Sequence, residues 1–120
     1  MTIQSTQSLI SVDSRETSRE WIKKTIPAGT KIAIESYSPY IDPEKYQVVS
    51  FGEIIEKDPN WYQQNGIDYI VASEGMYGRF FLEPNKYENE VQLYNNIFSA
   101  FTLAMLFNDG NYEIRIYRIK

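Results

Sequence analysis

The stretch Ile67-Asp68-Tyr69-Ile70-Val71-Ala72 most constrains the fold. It is apolar without strict alternation, the pattern of a strand covered on both faces. Such a strand needs a sheet with helices packed on it, and the rest of the chain supplies them. Asp13 can cap a helix, with Glu16 three positions on, and Ser14–Thr25 reads as that helix. Trp21, Ile22 and Ile26 form its apolar side, and Pro27-Ala28-Gly29 stops it. Lys31–Glu35 and Tyr46–Phe51 read as strands, separated by a loop holding Pro39 and Pro43. Asp58-Pro59 opens a short helix carrying Trp61 and Tyr62, closed at Asn65-Gly66. After Pro84 a longer helix runs to about Ser99, with Tyr87, Val91, Tyr94 and Phe98 on one face. Phe101–Phe107 and Tyr112–Tyr117 are strands joined by the turn Asn108-Asp109-Gly110-Asn111. In the last strand Tyr112, Ile114 and Ile116 alternate with Glu113, Arg115 and Tyr117.

Strands separated by helices argue for parallel neighbours, whereas a turn of four residues cannot make a crossover and forces an antiparallel pair. The predicted fold is α/β: a small three-layer, Rossmann-like domain with a mainly parallel mixed sheet of about five strands and a C-terminal antiparallel hairpin. Residues 13–120 form one domain, preceded by a flexible segment, residues 1–12. That segment, MTIQSTQSLISV, lacks the basic start and apolar core of a signal peptide.

Composition removes several chemistries. The chain has no His and no Cys. A Ser-His-Asp triad, a Cys-His dyad and imidazole- or thiolate-ligated metals are thereby excluded, and no metal or cofactor is expected. Carboxylates, Lys and Tyr remain for proton chemistry. A net charge of −4 without any basic run argues against nucleic acid as a partner. The most apolar run, Ile97–Phe107, is too short to cross a bilayer.

In parallel sheets, ligands bind beyond the carboxyl ends of the strands. The first strand ends at Glu35-Ser36-Tyr37 and the third at Ser73-Glu74-Gly75. If the two are parallel, Glu35, Ser36, Tyr37, Tyr40, Asp42, Ser73, Glu74, Tyr77 and Arg79 can gather at one rim as a candidate ligand site. Gly75 and Gly78 read as turn residues or as places where backbone approaches a ligand. Tyrosine rings, acids and an arginine suit a sugar or phosphate. The plainer reading is solvated acids, turn glycines and a surface pair of Arg79 with Glu74 or Glu83. Glu35 and Glu74 as a glycosidase pair need a separation of roughly 5–10 Å, which sequence does not set. The stretch EGMYGR matches neither phosphate-loop pattern.

The segments DSRETSREWIKKTIPAGTKIAIESYSPYIDPEKY, WYQQNGIDYIVASEGMYGRFF, YENEVQLYNNIFSAFTLAMLF and the terminal IRIYRI occur in that order. Together they resemble the soluble C-terminal domain of bacterial membrane glycosyltransferases related to dolichyl-phosphate-mannose–protein mannosyltransferases. The resemblance covers about residues 13–119 and rests on Asp13-Ser14-Arg15, Trp21-Ile22, Ile26-Pro27-Ala28-Gly29, Asp68-Tyr69 and Tyr77 with Arg79. It implies an accessory role. Family members move a sugar from a polyprenyl-phosphate donor, and their catalytic acids lie in the membrane portion, so no catalytic residue transfers to this chain. The implied partners are a saccharide or lipid-linked sugar and a membrane-embedded glycosyltransferase portion. The implied compartment is extracytoplasmic for a domain of a membrane enzyme and cytoplasmic for a free-standing one. Three readings stay open: a non-catalytic accessory domain binding a glycan or acceptor, a structural or protein-interaction domain without a small ligand, and an enzyme working through carboxylates.

Overall fold

In the computed structural model, which describes residues 13–110 and 112–119, the chain enters helix α1 (Ser14–Thr25) through Asp13, whose carboxylate accepts from the Glu16 N–H at 3.0 Å. Strands β1 (Lys31–Ile34) and β2 (Gln47–Ser50) follow, then a 3₁₀ turn (Ile54–Glu56) and α2 (Pro59–Gln64). Asp58 caps α2, accepting from the Trp61 N–H at 2.8 Å, as its sequence predicts. The remainder is β3 (Tyr69–Ser73), α3 (Glu74–Leu82), α4 (Glu88–Ala100), β4 (Thr102–Phe107) and β5 (Ile114–Arg118). The sequence assigns residues 1–12 to a flexible segment and Asn111 to the hairpin turn; both lie outside the described residues.

The five strands form one open mixed sheet in the order β2-β1-β3-β5-β4. At one end β1 runs parallel to both β2 and β3; at the other β5 is antiparallel to β3 and to β4. Helix α1 covers one face, where Ile22 and Ile26 pack on Ile32, Val71, Phe107, Ile114 and Ile116. The other face takes the 3₁₀ turn and helices α2–α4, through Ile54, Tyr62, Phe80, Tyr94 and Ile97 on Ala33, Ile70, Ala72 and Tyr117. Central strand β3 explains its own sequence: Val71 faces one layer, Ile70 and Ala72 the other, and all three are inaccessible to water. Each layer holds one tryptophan. Trp21 sits edge-on to Phe107 (6.0 Å between ring centroids), and Trp61 edge-on to Phe51 and Tyr62 (5.7 and 5.4 Å).

The structure corrects one element. Gly75 and Gly78, read from sequence as turn residues or places of close backbone approach, lie inside helix α3. Glycine at 75 and 78 lowers intrinsic helix preference by about 1 kcal/mol each, but two other terms win. The Ser73 hydroxyl caps the helix, accepting from the Gly75 N–H at 3.2 Å, and Tyr77 and Phe80, three apart, bury in the core. Gly75 is required for a different reason than a turn. A Cβ there would lie 2.8 Å from the Tyr37 Cβ and 3.0 Å from its Cγ, so the loop leaving β1 crosses directly over the helix start. Tyr37 itself is left-handed, with φ 67°.

The two glycines should therefore respond oppositely to alanine. Gly75→Ala forces the Tyr37 loop outward and is expected to destabilise by about 1–3 kcal/mol. In Gly78→Ala the new methyl meets only the Cγ of Glu74, an exposed side chain, at 3.1 Å. Removing backbone freedom there should leave stability unchanged or raise it by up to about 1 kcal/mol. Urea titrations of both variants check this, and equal responses would contradict the close approach at Gly75.

Candidate functional site

Because β1 and β3 are parallel neighbours, their carboxyl ends share an edge of the sheet. Glu35, the first residue past β1, turns inward there and is only 3% exposed. One carboxylate oxygen accepts from the Ser73 N–H at 2.8 Å; the other accepts from the Ile54 N–H at 3.0 Å and the Tyr94 hydroxyl at 2.6 Å. The side chain thus ties the end of β1 to the β3–α3 junction, the 3₁₀ turn and α4. Burial pushes its carboxyl up to about 7, against the three hydrogen bonds, which favour the carboxylate; the nearby Glu53 charge adds to the rise. Burial likewise raises the Tyr94 hydroxyl, helped by the Glu35 charge it faces.

The other candidate residues divide between two surfaces. On the α1 face, a groove of about 790 Å³ runs along the carboxyl ends of β1 and β2, lined by Ile34, Ser38, Pro39, Tyr40, Val48, Ser50 and, from the start of α1, Asp13, Arg15, Glu16 and Arg19. Tyr40 is 69% exposed. Asp42 lines a smaller adjoining hollow of about 210 Å³ with Arg19, Lys45 and Tyr46, and its carboxylate accepts from the Glu44 N–H at 2.9 Å.

On the α3 side a smaller groove of about 440 Å³ is lined by Glu74, Tyr77, Arg79, Phe81, Leu82 and Tyr112. Glu74 fastens α3 to the start of β5, accepting from the Glu113 N–H at 2.8 Å. Tyr77 is buried and donates to the Glu113 carboxylate at 2.5 Å. That carboxylate also accepts from Arg115 Nε at 2.6 Å, and the guanidinium lies 4.7 Å from the Phe98 ring centroid. Burial alone pushes the Glu113 carboxyl up, but the Tyr77 and Arg115 hydrogen bonds outweigh it and hold the group below its ordinary value. Arg79 lies on the outside of α3, its guanidinium 4.8 Å from the Phe80 ring centroid and 3.8 Å from the Glu53 carboxylate. The acid it meets is neither Glu74 nor Glu83, the partners expected from sequence.

The rim expected from sequence is therefore not one cleft. Glu35 and Ser73 are buried. Ser36 and Tyr37 are exposed, with the Tyr37 ring edge-on to Tyr112 at 6.4 Å. Tyr40 and Asp42 open to the α1 side; Glu74, Tyr77 and Arg79 line the α3 side. Sequence reasoning missed Arg15 and Arg19, although their spacing of four puts both on one side of α1. It also missed the partner of Tyr94; a tyrosine on a buried helix face needs an acceptor, and a nearby strand-end glutamate supplies one. Among the described residues no group of three or more acids could hold a metal ion, and no helix is long and apolar enough to cross a membrane. Comparisons of the chain with models of known families, with curated proteins and with solved structures return no match.

Glu35 gives the fold a defined pH response. Its carboxyl titrates near 4.5 when unconstrained and at about 7 in the fold, so the folded chain binds the extra proton in between. The stability it confers is complete below the lower value and declines as pH rises to the upper one, by up to about 3 kcal/mol. Glu113, with its lowered carboxyl, acts in the opposite sense and only at more acidic pH. Urea unfolding at pH 5 and pH 8 should show the decline, and Glu35→Gln should flatten it. At pH 5 the variant is expected to be about 1–3 kcal/mol less stable, since its amide nitrogen accepts no hydrogen bond, whereas both oxygens of the protonated carboxyl retain acceptor lone pairs for the surrounding donors. A slope that survives Glu35→Gln would assign the titration to another group.

Proposed function

We propose that this chain is a non-catalytic binding domain, of the accessory kind that the glycosyltransferase resemblance implies, and that it takes a saccharide or the sugar portion of a lipid-linked acceptor in the groove beside Tyr40. The groove on the α1 face carries the reading. It is a hollow of about 790 Å³ at the carboxyl edge of the parallel strands, where open α/β sheets hold ligands. An exposed aromatic ring stands at its side with Asp13, Glu16, Arg15 and Arg19 opposite on α1. A ring covers the apolar face of a pyranose, carboxylates accept from its hydroxyls, and guanidinium groups donate to ring and hydroxyl oxygens. Supporting the non-catalytic half, Glu35, the acid at the same edge, is turned into the core and committed to three internal donors. A general acid must reach the proton it transfers.

A protein-interaction role without any small ligand is favoured by a separate observation, the exposed apolar strand β4. Saccharide titration distinguishes the two. Glycan-array screening followed by calorimetry on the best hit should give measurable affinity for the wild-type chain. Tyr40→Ala should weaken it about tenfold, the loss of roughly 1.4 kcal/mol of stacking, and Arg15→Ala should weaken it to a lesser degree. Arg79→Ala, in the other groove, should leave it unchanged. Sensitivity to Arg79 without sensitivity to Tyr40 would move the site to the α3 side, and absence of binding to any glycan would remove the saccharide reading.

A further inference from the structure

Strand β4 is an edge of the sheet, paired among the described residues with β5 alone. Its sequence, Thr102-Leu103-Ala104-Met105-Leu106-Phe107, holds no charge and no proline, and its first five residues are exposed. Leu103 is 43% exposed, Met105 and Leu106 39% each. Edge strands are ordinarily guarded against pairing by charge, proline or a covering element. The opposite edge, β2, presents exposed Gln47 and Ser50.

The register of β4 on β5 shifts between Leu103 and Met105, so that Leu103 lies opposite Tyr117, Met105 opposite Ile116, and Ala104 is the extra residue. Cross-strand neighbours share a face. Leu103 and Leu106 therefore stand on the face of Tyr117 and Arg115, and Thr102, Met105 and Phe107 on the face of Arg118, Ile116 and Ile114. Apolar side chains emerge on both faces, so a helix laid on one face leaves the other in water. A further strand covers both.

We propose that β4 pairs antiparallel with β4 of a second copy of this chain, across a two-fold axis normal to the sheet, making one sheet of ten strands. Such an axis keeps each face on its own side, so residues that meet across it must already share a face. One register spanning the strand meets this condition at every residue whose face its partner on β5 fixes. It sets Leu103 against Leu106 of the second copy, Thr102 against Phe107, and Ala104 against Met105. The extra residue at Ala104 makes this register possible, because without it Leu103 and Leu106 would stand on opposite faces. The arrangement brings no like charges together: the first charged residue past the strand, Asp109, falls opposite Ala100. A six-residue strand is roughly 20 Å long and buries less than the ~800 Å² per partner of a standard interface. The dimer is accordingly reversible, and the polar β2 edge stops it from growing into a fibre.

Sedimentation velocity of the full chain across the micromolar range should show a monomer–dimer equilibrium. Leu106→Lys, which introduces two lysines per dimer, should raise the dissociation constant at least about tenfold; Leu82→Lys, an exposed leucine on α3, should leave it unchanged. Because the chain contains no Cys, Ala104→Cys can form a disulfide only between copies. Under mild oxidation it should form one faster than Leu82→Cys does. A monomer at every concentration overturns the proposal. So does a dimer that withstands Leu106→Lys, or one in which position 104 crosslinks no faster than position 82.

Discussion

The arrangement of this domain depends on one carboxylate taken out of water. Glu35 sits where the first strand ends, and four pieces of chain meet on it: its own loop, the backbone of Ser73 and Ile54, and the hydroxyl of Tyr94. None of these groups could be buried alone without loss. Backbone N–H groups at Ser73 and Ile54 have no strand or helix acceptor at those points, and a tyrosine hydroxyl inside the core needs a partner. A single acid with two acceptor oxygens satisfies all of them. The consequence is an exchange of roles: the residue whose type and strand-end position suit it to chemistry is a structural tie, and the hollows available to a ligand lie on either side of it.

The alternation of elements was legible because it follows from local chemistry. Asp13 and Asp58 cap their helices as their positions imply, the apolar run around Ile70 is covered on both sides, and the short turn after Phe107 forces an antiparallel return. Helix α3 was not legible. Two glycines among nine residues point away from helix, and the terms that overrule them are the Ser73 cap and the burial of Tyr77 and Phe80, which pack on Tyr94 of a later helix. The candidate site suffered from the same blindness to distance. That β1 and β3 end at one edge could be argued from connectivity, but which way each side chain turns there could not. Glu35 turns in, Tyr40 turns out, and the arginines at the head of α1 join the groove only because that helix packs across the sheet.

The sheet has two characters. Its β2-β1-β3 half is parallel, and its free edge carries polar ends; its β5-β4 half is antiparallel and ends in an apolar strand with one extra residue. The proposed ligand groove belongs to the first half and the proposed pairing edge to the second. They lie at different strands, joined through the start of α1, whose Ser14 hydroxyl accepts from the Asp109 N–H just past β4.

The placement of one tryptophan in each helical layer gives the molecule two built-in optical reporters. Trp21 senses whether α1 remains seated against Phe107, and Trp61 senses the aromatic packing beneath α2. With either indole replaced by phenylalanine, the emission of the other follows the peeling of a single layer from the sheet, so the order in which the sandwich comes apart can be read by eye from two spectra.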